Sequence, residues 1–251
     1  MEIRFTEEGR HIALITIDNQ PRRNAMTRDM IFDLAALWDE LEKSDHRCIV
    51  VTGAGDRAFS SGADLGGDLS ASAELAAKIN RGLLKTDSFP KPILSAVNGD
   101  CVAGGLELML STDIRFASPN ARFGLPEVRW SIYPFGGSTT KLVAQIGYVH
   151  AAEMLLGADL ISAEKAAEIE LINRVVPVET LMAETLKMAE RIAANSPSAV
   201  QAVKRQLSET QAEIVRSRET FEQTLGDKVR ESPHFEEGVA AFLEKRPPNY
   251  D

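Results

Sequence analysis

Three short stretches hold the residue types that could do chemistry. In NGDCVAGGLELMLSTD, residues 98–113, one carboxylate, Glu107, stands between Leu106 and Leu108 in an otherwise apolar run. Burying a carboxylate there is costly unless something uses it. Just before it, Ala103-Gly104-Gly105 lead into a helix-like LELMLS, and free N–H groups at a helix start, with no side chains in the way, form a ready anion or oxyanion site. The second stretch, AFSSGADL (58–65), follows a strand-like run and a GAGDR turn, and its small residues let a ligand approach the backbone closely. The third, ARFGLPEVRW (121–130), puts Glu127 after Pro126 at the start of a helix or turn. Singly, each has a plain reading: a tight turn, helix–sheet close packing, a carboxylate favoured by a helix dipole. Together, in this order on one strand–helix framework, they indicate a site.

The elements that must position these stretches are short strand-like runs alternating with helices. HIALITI (11–17), CIVVTG (48–53), PILSAV (92–97) and DIRFAS (113–118) read as strands. In TRDMIFDLAALWDELEK the apolar residues Met30, Ile31, Leu34, Leu37, Trp38 and Leu41 fall on one helical face, with Thr27 as N-cap. Such alternation predicts an α/β fold with mainly parallel strands. After about residue 178 the strand signals stop. The rest reads as a helix over 179–194, another after Pro197, a charged one around 212–230 and a short one ending at FLEKR. This tail is poor in apolar residues for its length, so partner subunits are expected to complete its burial. We therefore expect a core over residues 1–195 and a helical oligomerisation region over 196–251.

Composition narrows the function. The 251 residues are 44% hydrophobic and 26% charged, with a formal net charge of −9. No lysine–arginine block supplies the basic footprint that a nucleic acid or anionic membrane needs. Two cysteines and four scattered histidines show neither metal-ligand spacing nor a disulfide framework, so a reducing cytoplasm is expected. The charged opening MEIRFTEEGR does not read as a signal peptide, and no run approaches the roughly 18 apolar residues of a membrane span. GxGxxG, GxxxxGK[ST], HExxH and GxSxG motifs are absent, which disfavours a nicotinamide dehydrogenase or an ordinary serine hydrolase.

As a set, the stretches resemble the crotonase superfamily, the enoyl-CoA hydratases and isomerases, over nearly the whole chain. NQPRRNAM (19–26) is similar to its N-x-P…NA[LM] segment, AFSSGADL to its first oxyanion segment and AVNGDCVAGGLEL to its second. FGLPEVRWSIYPFGGSTTKL looks like the stretch that carries its second acid, and ISAEKAAEIELINRVVP and EGVAAFLEKRPP match later landmarks. The resemblance implies a spiral of ββα units with a C-terminal helical oligomerisation region, an acyl-CoA thioester substrate, and a homotrimer or dimer of trimers. No cofactor is implied, coenzyme A being part of the substrate, and no metal, nucleic acid or membrane.

Residue by residue, the resemblance implies backbone donors at Ala63 and Gly104 that stabilise an enolate-like oxyanion. It implies a carboxylate pair, Glu107 and Glu127, that hydrates the C2=C3 bond of an enoyl thioester. Glu107 would help position and deprotonate the water while Glu127 delivers a proton to C2, although the sequence leaves open which does which. Arg22 and Arg23 are placed near the CoA phosphates; Ala25, Ser61, Asp64 and Leu65 along the adenine and pantetheine path; Phe242 and Lys245 over the nucleotide end, from this chain or a neighbour. Two other readings remain: an isomerase or other crotonase reaction using Glu127 alone, and a non-catalytic acyl-CoA-binding subunit. Four positions depart from the family pattern. Phe135 and Ser131 stand where glycine is common, Asp100 where an apolar or aromatic residue is usual, and Glu170 replaces a frequent helix-ending glycine. Phe135 is expected to narrow or redirect the acyl pocket.

Overall fold

The structure, a computed structural model, describes residues 1–64 and 73–251. Its strands are β1 (Glu2–Glu8), β2 (Ile12–Asp18), β3 (Cys48–Gly53), β4 (Ala58–Ser60), β5 (Ile93–Val97), β6 (Asp100–Val102), β7 (Ile114–Ala117), β8 (Arg122–Gly124), β9 (Ile161–Ser162) and β10 (Arg174–Val175). Its α-helices are α1 (Arg28–Lys43), α2 (Ala73–Gly82), α3 (Gly104–Met109), α4 (Ser138–Ile146), α5 (Tyr148–Gly157), α6 (Ala163–Glu168), α7 (Leu181–Ala193), α8 (Pro197–Arg230) and α9 (Pro233–Glu244).

The strands form two sheets, ordered β1-β2-β3-β5-β7-β10 and β4-β6-β8-β9. Only β1–β2 and β8–β9 pair antiparallel. The chain repeats one move three times: a strand in the large sheet, a short corner, a strand in the small sheet, then a helical segment. Thus β3-β4-α2, β5-β6-α3 and β7-β8 with the 3-10 turn Pro126–Trp130 each advance both sheets by one strand. This is the expected spiral of ββα units. Buried asparagines hold the corners. Asn98 Nδ2 donates to Gly55 O and Ala58 O while its Oδ1 accepts from Gly53 N, and Asn24 Nδ2 donates to Ala54 O and Ala58 O.

Alternation along the strands divides the core. In β3, Ile49 and Val51 join the cluster shared with α1, α3 and the small sheet, while Cys48 and Val50 face α7 through Leu181, Ala189 and Ala193. In α1 the expected apolar face is buried, with Leu37 only partly so, and Thr27 Oγ1 accepts from Met30 N at 3.3 Å. Trp38 Nε1 donates to Gly82 O and so fastens α1 to α2. The expected separate helices after Pro197 and around 212–230 are one helix of 34 residues. After Pro197 it contains no proline, and its single glycine, Gly226, does not stop it. Lys204 pins the first half of α8 to the core through Asp113 at 2.7 Å.

Two of the departures from the family pattern show backbone strain. Ser131 and Glu170 have φ of 51° and 63°, in the left-handed region that favours glycine. Glu170 follows α6 in a Schellman arrangement: its N–H donates to Ala167 O and that of Leu171 to Ala166 O. Its side chain is exposed. Glu170→Gly is expected to stabilise the protein by about 1 kcal/mol, read in a thermal melt as a rise of roughly 2–4 °C; an unchanged or lowered midpoint would contradict this account of the turn.

Candidate active site

The corners after β4, β6 and β8 meet at a cleft of about 320 Å³. Its lining includes Ser61, Ala63, Gly104, Glu107, Glu127, Phe135 and Phe242. The first wall is backbone. Met26 and Ala63 form a parallel bridge in which Met26 N donates to Gly62 O and Asp64 N donates to Met26 O. That pattern turns the Ala63 N–H away from Met26. Gly62, at φ 99°, has no room for a side chain, since a Cβ would lie 2.9 Å from both Gly104 N and Ala103 Cβ. A Cβ on Gly104 would lie 3.3 Å from Ala63 N. The two N–H groups therefore stand side by side at the cleft, and among the described residues neither is spent on a backbone partner. Ala103 makes the approach possible at a φ of 51° and ψ of −128°, a conformation that costs a side-chain-bearing residue roughly 1–3 kcal/mol. Two adjacent, unspent donors suit an oxygen that gains negative charge during a reaction.

The second wall carries the acids. Glu107, on the first turn of α3, is 8% exposed. Gly136, at φ 74°, lies against it: a Cβ there would sit 2.7 Å from Glu107 Cδ and 2.8 Å from its Oε2. Glu127 occupies the 3-10 turn after Pro126, and its Oε2 is closed off from solvent without a hydrogen-bond partner. Burial is the largest cause holding the Glu107 carboxyl well above the usual range; the charges of Glu127 and Glu222 push the same way, while Lys141 and Lys85 oppose them. Burial pushes the Glu127 carboxyl up to about 7, against its own backbone N–H. Two carboxyls in one cleft, both holding their protons more firmly than usual, suit a site that gives one proton and takes another.

The third wall is aromatic. Phe135 stacks edge-on against Tyr133 at 5.3 Å, with the Arg230 guanidinium 4.9 Å from its ring centre. Gly226 on α8 leaves space for that ring, which a Cβ at 226 would overlap. Phe242 stacks on Trp130 at 5.3 Å. Trp130, Tyr133, Gly136, Arg230 and Phe235 were not singled out from the sequence. Gly136 lay in view in the FGG run, whereas α8 and α9 reach the cleft only through tertiary packing.

The remaining expected contacts among the described residues lie outside this lining. Arg22 and Arg23 are exposed on the loop after β2, which is tied to the site because Ser61 Oγ donates to Arg22 O and Ser61 N to Arg23 O. Arg23 also approaches Asp100 at 3.5 Å, and Asp100 forms a two-point pair with Arg122 at 2.9 and 2.7 Å. Its usual apolar place is thus taken by a carboxylate with charged partners. Ala25 is buried beneath this loop. Asp64 is half-buried beside the bridge, and Lys245 is exposed at the end of α9. Leu65 lies outside the described residues. Among the described residues no group of three or more His, Cys, Asp or Glu side chains is placed to hold a metal. Both cysteines are free and buried, and burial pushes the Cys48 thiol up to about 12, so neither serves as a nucleophile.

The raised Glu127 carboxyl has a linked effect on stability. Because the folded state binds its proton more tightly than the unfolded chain, Glu127 lowers stability as pH rises from about 4.5 to about 7. Glu127→Gln is expected to melt higher than the parent protein by a few degrees at pH 8. The gap should close as pH falls through that window; a gap independent of pH would contradict the assignment.

Comparison with known proteins agrees with this geometry. The family described as enoyl-CoA hydratase/isomerase matches residues 7–251. The enoyl-CoA hydratase EchA19 of Mycobacterium tuberculosis is 37% identical over 98% of this chain and 95% of its own length. The 2,3-dehydroadipyl-CoA hydratase of Escherichia coli is 32% identical over 95% of this chain and 94% of its own. A solved enoyl-CoA hydratase/isomerase from Pseudoalteromonas atlantica superposes with a TM-score of 0.91 at 28% identity, covering all of both chains. With its whole length matched and its spiral of ββα units in place, the chain belongs to the enoyl-CoA hydratase/isomerase family of the crotonase superfamily.

Proposed function

We propose that the protein is an enoyl-CoA hydratase-like lyase that adds water reversibly across the C2=C3 bond of an enoyl-CoA thioester. The observation that carries this reading is the pair Glu107 and Glu127 in one cleft with the Ala63 and Gly104 N–H groups. Hydration needs a proton removed from water as it attacks C3, a proton delivered to C2, and stabilisation of charge on the thioester oxygen. Two carboxyls with raised proton affinity beside two backbone donors provide for all three. The hydratase names carried by relatives above 30% identity point the same way.

In this reading Glu107 positions and deprotonates the water and Glu127, with its unpartnered Oε2, delivers the proton to C2. Arg22 and Arg23, exposed beside the cleft, would meet the phosphates of CoA. Ala25, Ser61, Asp64 and Leu65 would follow its adenine and pantetheine, with Phe242 and Lys245 over the nucleotide end and Phe135 bounding the acyl group. The steps are proton transfers and charge stabilisation, so the reading includes no cofactor beyond the CoA of the substrate.

The same reading includes a cytoplasmic protein assembled as a trimer or dimer of trimers, with residues 1–195 as the catalytic core and 196–251 as the oligomerisation region. Two free, buried thiols are compatible with a reducing compartment, and no helix among the described residues is long and apolar enough to cross a membrane. Assembly is supported by Val203, Leu207, Ile214 and Phe221, which are exposed along one face of α8.

Two experiments test these readings. Crotonyl-CoA mixed with the protein should lose the ultraviolet absorbance of its conjugated thioester, and Glu127→Gln should slow that loss by roughly 100- to 10,000-fold. Crotonyl-CoA that binds and does not react would overturn the hydratase assignment for a simple short-chain substrate. Light scattering on the eluting protein should give three or six times the mass of one chain, and a monomer mass would remove the oligomer from the reading.

A further inference from the structure

Behind the acid pair, away from the cleft, lies a buried group of charges that the proposed reaction does not touch. Lys141 on α4 is 4% exposed, and among the described residues no carboxylate lies within ion-pair distance of it. Its Nζ donates to Leu84 O at 3.0 Å and to Ser111 Oγ at 2.8 Å. Ser111 lies one helical turn beyond Glu107, with its Oγ 3.5 Å from Glu107 O. Two residues before α4 begins, the same chain segment that carries Lys141 passes Gly136, which lies against the Glu107 carboxyl. Beside this group, Lys85 meets Glu222 of α8 at 2.7 Å, both nearly sealed from water, and Glu219 at 3.6 Å. None of Lys85, Lys141 and Glu222 lines the catalytic cleft; the two lysines line a separate cavity of about 520 Å³ between α8 and the core.

A buried ammonium with only neutral hydrogen-bond partners among the described residues is costly, and one joined through Ser111 to the helical turn that carries Glu107 calls for an electrostatic account. We propose that Lys141 is a positioning residue that favours the ionised form of the Glu107 carboxyl, with the Lys85–Glu222 pair as its counterweight. The inference rests on the hydratase reading for its purpose, since Glu107 must give up its proton before it can take one from water. The charged groups that act on Glu107 come from every side: Glu127 on the 3-10 turn, Glu222 on α8, Lys141 on α4 and Lys85 after α2. Lys141 in turn is acted on by Glu107, Asp87, Lys85 and Arg115, burial holding it down at about 7. Each charge of the Lys141–Glu107 couple supports the other: an ionised Glu107 keeps Lys141 protonated, and a protonated Lys141 eases the loss of the Glu107 proton. Glu222 opposes that loss, and Lys85 offsets Glu222.

Opposite charges removed from this group must shift Glu107 in opposite directions. In Lys141→Met the acid limb of the kcat/KM profile should move up by ~1 pH unit; in Glu222→Gln it should move down; Lys141→Arg should hold the parent position. The Glu107 carboxyl is read directly beside this, by carbon-13 NMR titration of glutamate-labelled protein with Glu107→Gln as the assignment control. Opposite shifts in the two variants support the proposal. A uniform loss of turnover with both titrations unmoved, or shifts in the same direction, would overturn it and leave Lys141 a structural residue. Should the parent protein fail to hydrate crotonyl-CoA while the carboxyl titrations still shift in opposite directions, the hydratase reading falls and the electrostatic coupling stands.

Discussion

An ionised carboxylate taken out of water loses hydration worth many kcal/mol, and this protein places two, Glu107 and Glu127, in one largely apolar cleft. Among the described residues neither has a salt-bridge partner. The solution is distributed. Each carboxyl holds its proton to a higher pH than usual, and the lysines behind Glu107 moderate the cost on that side. Gly136 brings backbone against the Glu107 carboxyl where a side chain would have displaced it. A site of this kind is tuned by what surrounds it, and the surroundings belong to α4, α8 and the end of α2 as much as to the residues at the cleft.

The spiral explains how so few residues suffice. Each ββα unit crosses from the large sheet to the small one through a short corner, and the successive corners stack beside one another. One corner supplies Ala63, the next Gly104 and Glu107, the third Glu127. The spacing of the acids along the chain is one turn of the spiral, so their proximity is fixed by sheet pairing, Cys101 with Phe123 and Val102 with Gly124. The backbone donors need no particular side chains, only the absence of large ones at Gly62 and Gly104.

Much of this was legible in the sequence, unevenly. Strands β2, β3, β5 and β7 and the face of α1 showed themselves because they are buried over several residues, long enough for a period to register. The edge strand β1 did not, since EIRFTEE is exposed at most positions, and the small sheet is made of strands of two or three residues, too short for any alternation. The acids and the backbone donors were legible through their motifs. The lysines near Glu107 were not: Lys141 sits at a buried helix position where its type predicts solvent, and only the fold shows that Leu84 O and Ser111 Oγ receive it. The aromatic wall was half legible, with Phe135 visible as an unusual residue and its neighbour on α8 hidden by nearly a hundred residues of intervening chain.

That neighbour has a consequence for how such a sequence can change. The Phe135 ring occupies the space a side chain at 226 would need, so the phenylalanine is tolerated only where residue 226 is glycine. A chain with glycine at 135 and a larger residue at 226 cannot acquire the ring first without a clash inside α8's packing. Losing the side chain at 226 opens the way, and losing the ring must come before any residue larger than glycine returns there. Single-step histories between the two forms therefore run in one order in each direction, and the mutation at the cleft waits on a permissive one in a helix whose sequence gives no sign of the debt.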